Sequence, residues 1–211
     1  TRKGSELNRK RLKKYNITNY NIDITRFEKI KSLQKFNMII VGDIGNTETK
    51  ILLINKNNRI LKKIHLDTSM INSNTIKKSI STFNIKNNPI EKILFCSVVP
   101  KTFKIIKLIL EKKYMLKCYE LKNLNLSRLI KIKVNYKQIG SDRLANAISI
   151  INNKDNFIVL DFGTATTFDV VIKNTYYGGV IAPGVKLSLE TLTKKATLIP
   201  NINLKKITKV I

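Results

Sequence analysis

The chain has 211 residues, 40 Lys and Arg against 14 Asp and Glu, and a formal net charge of +26. An apolar fraction of 43% suits a folded core rather than a disordered segment. The charge would attract polyanions and phosphorylated ligands, but the basic residues are dispersed. Zinc-finger spacing, RNP-like aromatics and a basic-region heptad are all lacking, so no dedicated nucleic-acid partner is expected. Cys96 and Cys118 are isolated and read as reduced, buried thiols, while His65 alone supplies almost no His/Cys metal chemistry. No apolar run of about 18 residues and no signal-type segment occurs, which predicts a cytoplasmic protein with no membrane partner.

Residues 1–37 are rich in Lys, Arg and Asn without sustained periodicity and read as a basic extension outside the catalytic unit. Met38 opens the first strong strand. Ile39–Val41 and Ile51–Ile54 make the arms of a hairpin tipped by Asp43-Ile-Gly-Asn-Thr47. Gly42 and Gly45 let the main chain come close to a ligand. Turn amides, with Asn46 and Thr47, can surround phosphate oxygens, and Lys50 can add charge at the edge. Asp43 repels a naked phosphate and makes sense as a ligand, direct or through water, for the Mg²⁺ that accompanies ATP. An Asx-type turn in which Asp43 and Asn46 cap their own backbone fits the same residues.

Further along, residues 59–66 read as a strand carrying His65, 68–83 as a weakly amphipathic helix, and 90–99 as a strand stopped by Pro100. A helix at 101–113 follows, and this order supports an α/β layer arrangement. An edge strand at 114–121 and a short one at 129–134 precede Gly140-Ser-Asp-Arg143, which opens a helix continuing to Ile151. Asp142 falls in the first turn, where exposed amides favour its charge. An aspartate there can accept the proton of a hydroxyl attacking phosphorus, and Arg143 can clamp an anionic group bidentately. Helix capping by Ser141 or Asp142, followed by an ordinary surface arginine, is the plainer alternative.

A second hairpin runs from Phe157 to Val171, with Asp161-Phe-Gly-Thr164 at its tip. Phe162 and Phe168 read as packing residues, and Asp169 faces either the cleft or a polar surface. The paired Gly178 and Gly179 allow a tight backbone approach. Pro183-Gly184 turns into a helix from about Val185 to Lys195, before a strand-like tail at 198–211. Two hairpins tipped by Asp-x-Gly-(Asn/Thr) imply two related half-domains facing one cleft.

Five segments in this order resemble the type III pantothenate kinases of the acetate and sugar kinase/heat-shock protein/actin superfamily. They are Asp43-Ile-Gly-Asn-Thr47, Ser97-Val-Val-Pro100, Gly140-Ser-Asp-Arg143 with Asn146, Asp161-Phe-Gly-Thr-Ala-Thr-Thr-Phe-Asp169 and Gly178-Gly-Val-Ile-Ala-Pro-Gly184. The resemblance covers most of 38–200. It implies an α/β fold of two related ribonuclease H-like (actin-like ATPase) lobes around a central cleft, the first at 38–150 and the second, incomplete, at 151–211. The implied activity is phosphorylation of pantothenate by ATP, the first step of coenzyme A synthesis. Asp43, Ile44, Gly45, Asn46, Thr47, Glu48, Thr49 and Lys50 would hold the ATP phosphates and Mg²⁺, and Thr164 would contact ATP. Gly140, Ser141, Asp142 and Arg143 would bind pantothenate, with Asp142 as proton acceptor. Asp161 would hold a monovalent cation, K⁺ or NH₄⁺, and a homodimer is implied. Two departures stand out. A Gly-Lys-Asn-Thr-like segment and a closing helix are not found, which reads as C-terminal truncation. Lys133 also occupies a place where an aromatic is common, with Tyr136 nearby. Another phosphoryl-transfer enzyme of the superfamily, or a non-catalytic nucleotide-binding fragment, are the rival readings.

Overall fold

Strand β1 (Met38–Ile44) and strand β2 (Glu48–Asn55) pair antiparallel, with Met38 opposite Asn55 and Ile44 opposite Thr49. A computed structural model describes residues 38–83 and 89–196. The basic extension at 1–37 and the strand-like tail at 198–211 lie outside those residues. Strands β3 (Ile60–Asp67), β4 (Ile90–Ser97) and β5 (Cys118–Glu120) complete a mixed sheet in the order β3-β2-β1-β4-β5. β3 runs antiparallel to β2, whereas β4 and β5 run parallel to their neighbours.

Alternation along β1 gives this sheet two buried faces. Met38, Ile40 and Ile44 pack against Ile76 and Ile80 of helix α1 (Ser73–Ser81) and Ile106 and Leu110 of helix α2 (Pro100–Tyr114). Ile39 and Val41 pack instead against Leu144 and Ile148 of helix α3 (Ser141–Ile150). Local chemistry sets the helix ends. Asn72 and Thr75 form a reciprocal capping box at the start of α1. Pro100 occupies the first turn of α2, where its missing N–H costs nothing, and Met115 closes that helix in the left-handed conformation at φ 55°.

Strands β6 (Lys131–Ile132), β7 (Asn156–Phe162), β8 (Ala165–Ile172) and β9 (Thr175–Pro183) form a second mixed sheet in the order β6-β9-β8-β7. β6 is parallel to β9 and the remaining pairs are antiparallel. Val171 and Tyr176 of this sheet share one core with α3 and the first sheet, so α3 is buried on most of its circumference. Helix α4 (Val185–Lys195) follows β9 directly.

Four differences from the sequence reading stand out, the first two with local causes. The helix expected at 68–83 divides into a 3-10 turn at Thr68–Met70 and α1, because the Asn72 cap starts a new helix. The expected strand at 114–121 shrinks to Cys118–Glu120, because α2 runs through Tyr114. Phe162 and Phe168 are exposed rather than packed, whereas Asp169 is fully buried. β6 precedes α3 in the chain yet hydrogen-bonds into the second sheet. No helix among the described residues is long and apolar enough to cross a membrane.

Candidate active site at the paired hairpin tips

The β1–β2 tip is closed by the Gly45 N–H donating to the Glu48 carbonyl at 2.9 Å, which leaves Asn46, Thr47 and Glu48 exposed. Ile44 and Thr49 turn inward. Ile44 belongs to the core, and the Thr49 hydroxyl meets that of Thr68 at 2.9 Å, which in turn donates to the Gly45 carbonyl. Asp43 has the parity of Ile39 and Val41 and therefore lies on the α3 side of the sheet. Its cross-strand neighbours are Lys50 on β2 and Cys96 on β4. The Cys96 thiol donates to Asp43 Oδ1 at 3.3 Å. His65 stands on β3 and pairs with Glu48 at 3.0 Å.

The second tip reaches the first. Thr47 Oγ1 and Thr164 Oγ1 are 2.8 Å apart, a hydroxyl–hydroxyl contact between residues 117 positions apart in the chain. Asp161 shares the parity of Phe157 and Val159, which pack on the α3 core, so it too lies on the α3 side of its sheet. Asn146 of α3 donates from Nδ2 to Asp161 Oδ2 at 2.8 Å and thereby orients the carboxylate. Thr167, directly opposite Asp161 on β8, is buried, and its Oγ1 has no hydrogen-bond partner in the structure.

The start of α3 lies beside the first tip. The Val98 N–H donates to the Ile44 carbonyl at 3.0 Å, tying the β4–α2 turn to the end of β1. A Cβ at Gly140 would sit 2.3 Å from Asp142 Oδ1 and 3.7 Å from Val98 Cγ1, so the Asp142 carboxylate folds back over Gly140 toward that turn. Gly140 gives α3 no side-chain cap. Instead the buried Ser141 hydroxyl donates to the Glu120 carboxylate at the end of β5. That bond fixes the turn that carries Asp142.

Arg143 points away from the exposed surface. Its Nε donates to Asp169 Oδ1 at 2.9 Å and its Nη2 to the same oxygen at 2.6 Å, and Tyr176 Oη also donates there at 2.6 Å. Burial alone would lower the Arg143 pKa, but the bond to Asp169 and its charge outweigh it and raise it. Burial, then the Asp169 bond, pushes the Tyr176 hydroxyl well above the usual tyrosine range. Gly179 makes room for this cluster. A Cβ there would meet the Phe168 carbonyl at 1.9 Å and Arg143 Nη2 at 2.9 Å. Glu120 and Tyr176 lie in none of the five resembling segments, whereas Asp169 and Asn146 lie within them but with no local sign of the partners they meet. A cavity of 440 Å³ lined by Leu126, Ile130, Ile132 and Tyr136 among others includes none of the predicted site residues.

Two mixed sheets around a shared helix, with a pair of acid-and-glycine tips in contact, define an α/β protein of the acetate and sugar kinase class. A family model of type III pantothenate kinases matches residues 39–211. The type III pantothenate kinase of Pelagibacter ubique is 70% identical over 174 residues, 82% of this chain and 70% of the relative. This chain belongs to the type III pantothenate kinase family. The type III pantothenate kinase of Methylacidiphilum infernorum is 34% identical over 82% of this chain, which spans 61% of that relative's length. A solved structure of a putative Baf family transcriptional activator from Campylobacter jejuni aligns over 81% of this chain and 68% of its own, at 18% identity and a TM-score of 0.45.

Proposed function

We propose that this chain transfers the γ-phosphoryl group of ATP to pantothenate, giving ADP and 4′-phosphopantothenate. In this reading two ribonuclease H-like lobes, 38–150 and 151–211, with β6 of the first segment pairing into the second sheet, face one cleft, in a cytoplasmic homodimer. The observation that carries it is the Thr47–Thr164 contact, which brings the two tips together beside the first turn of α3. Main-chain amides of Asp43–Lys50, with Asn46 and Thr47, take the ATP phosphates, and Thr164 takes them from the opposite side. Gly140, Ser141, Asp142 and Arg143 receive pantothenate. Asp142 accepts the proton of the primary hydroxyl as that oxygen bonds to phosphorus and the bond to the ADP oxygen breaks. Asp169 holds Nε and Nη2 of Arg143, so the guanidinium is fixed in place with its charge already offset.

Both metal expectations suit the residues present. Asp43 supplies one carboxylate on the α3 side of the first tip, and Mg²⁺ bound with a nucleotide needs only one or two protein carboxylates besides phosphate and water. Among the described residues no group of three or more His, Cys, Asp or Glu that could hold a metal ion is present. Asp161, held by Asn146, supplies one charge for K⁺ or NH₄⁺. Bound there, the two ions would neutralise phosphate charge. The test is pantothenate-dependent ADP release in a coupled assay. Asp142→Asn should lower kcat by about 10²–10⁴-fold while ATP binding is kept. An unchanged rate in that variant, or ADP release indifferent to pantothenate, overturns the assignment.

A further inference from the structure

We propose that the hydroxyl oxygen of Thr167 is a second ligand, beside the Asp161 carboxylate, for the monovalent cation. The proposal rests on the reading of Asp161 given above. Thr167 and Asp161 are direct partners in the β7–β8 ladder, so their side chains stand on the same face of the sheet. That face is turned toward α3, whose Asn146 holds the Asp161 carboxylate in one orientation.

Thr167 is buried, and its Oγ1 is enclosed without any hydrogen-bond partner. An enclosed hydroxyl that bonds to nothing destabilises a fold, and a valine of the same shape would avoid the penalty. The first hairpin shows how such a group is ordinarily satisfied. There the buried Thr49 hydroxyl bonds to Thr68, and Thr68 donates to the Gly45 carbonyl. The second hairpin leaves the Thr167 oxygen to something outside the chain. Its lone pairs suit a cation. One carboxylate plus one neutral oxygen carries a single negative charge, which balances a single positive one. Selective K⁺ sites elsewhere are likewise built from oxygen dipoles around a partly dehydrated ion.

The experiment measures the melting temperature of the full chain with ATP and Mg²⁺, titrated with KCl against choline chloride at constant ionic strength. Wild type, Asp161→Asn, Thr167→Val and Thr167→Ser are compared. Wild type should show a K⁺-specific rise and Asp161→Asn should lose it. Thr167→Val should need about tenfold more K⁺ for half the effect, roughly the loss of one hydrogen-bond-strength contact to a charge. Thr167→Ser, which keeps the oxygen, should stay within about threefold of wild type. In choline chloride Thr167→Val should melt no lower than wild type, which shows that the change leaves the fold intact. If Thr167→Val responds to K⁺ like wild type while Asp161→Asn does not, the Thr167 proposal fails alone. If wild type itself does not distinguish K⁺ from choline, the Asp161 reading fails and takes this one with it.

Discussion

The two hairpins carry the same tip chemistry but stand in different surroundings. β1 lies between β2 and β4, and both of its faces are covered. β7 pairs, among the described residues, with β8 alone, and only its α3 side is packed. Hence Ile40 is fully buried whereas Ile158, at the equivalent depth in its strand, is 65% exposed. Phe162 and Val180 extend the same bare face. An Asp-x-Gly tip therefore does not require a fully enclosed strand beneath it. It requires one packed face that presents the carboxylate to the shared helix. Both hairpins meet that condition through α3, and each aspartate is held from the side: Asp43 by the Cys96 thiol and Asp161 by Asn146.

The comparison is broken most severely where the second sheet is tied to α3. Asp169→Ala leaves the Arg143 guanidinium buried without its partner. It should cost about 3–5 kcal/mol in urea unfolding, and a loss below about 1 kcal/mol contradicts the buried pair. A matched pair of truncations sharpens the contrast between the sheets. Ile40→Ala should destabilise by about 2–5 kcal/mol and Ile158→Ala by no more than about 0.5 kcal/mol in the same denaturation assay. Equal losses would mean that the outer face of β7 is covered in solution.

A smaller effect belongs to the first sheet and its helix. Burial raises the Cys118 thiol from 9.0 to about 12, with Glu111 adding to the shift and Lys107 opposing it. Burial also raises the Tyr114 hydroxyl from 10.0 to about 12. Both groups are neutral in folded and unfolded chains below their unfolded values. Between pH 9 and about 12 the unfolded chain loses these protons first, so stability should fall as pH rises through that window. Melting curves from pH 7 to 11 check the sign. Cys118→Ser should flatten the first part of the decline, and an identical slope in that variant removes the thiol from the account.

Much of the site was legible without coordinates because its parts are local. The acid, glycine and hydroxyl of each tip lie within a few residues, and Asp142 sits one residue into a helix that Gly140 introduces. The family was legible for the same reason, as five short segments in a set order, and the match over residues 39–211 agrees. The faces were harder to read. Phe162 and Phe168 are apolar strand residues that join neither hydrophobic core, whereas Asp169 is polar and wholly buried. Hydropathy ranks the average environment of a residue type, and here the neighbours reverse it.

Sequence alone determined the two hairpins and their tips, the strand that opens at Ile90, the start of α2 at Pro100 and the start of α3. Each follows from backbone preferences and periodicity over a handful of adjacent residues. Only the folded chain decided that Arg143 closes on Asp169 and Tyr176, that Asn146 holds Asp161, and that Thr47 touches Thr164. Those contacts join residues brought together by sheet register and by the burial of α3 between two sheets. No local pattern encodes which distant partner a charged or hydroxyl group will meet.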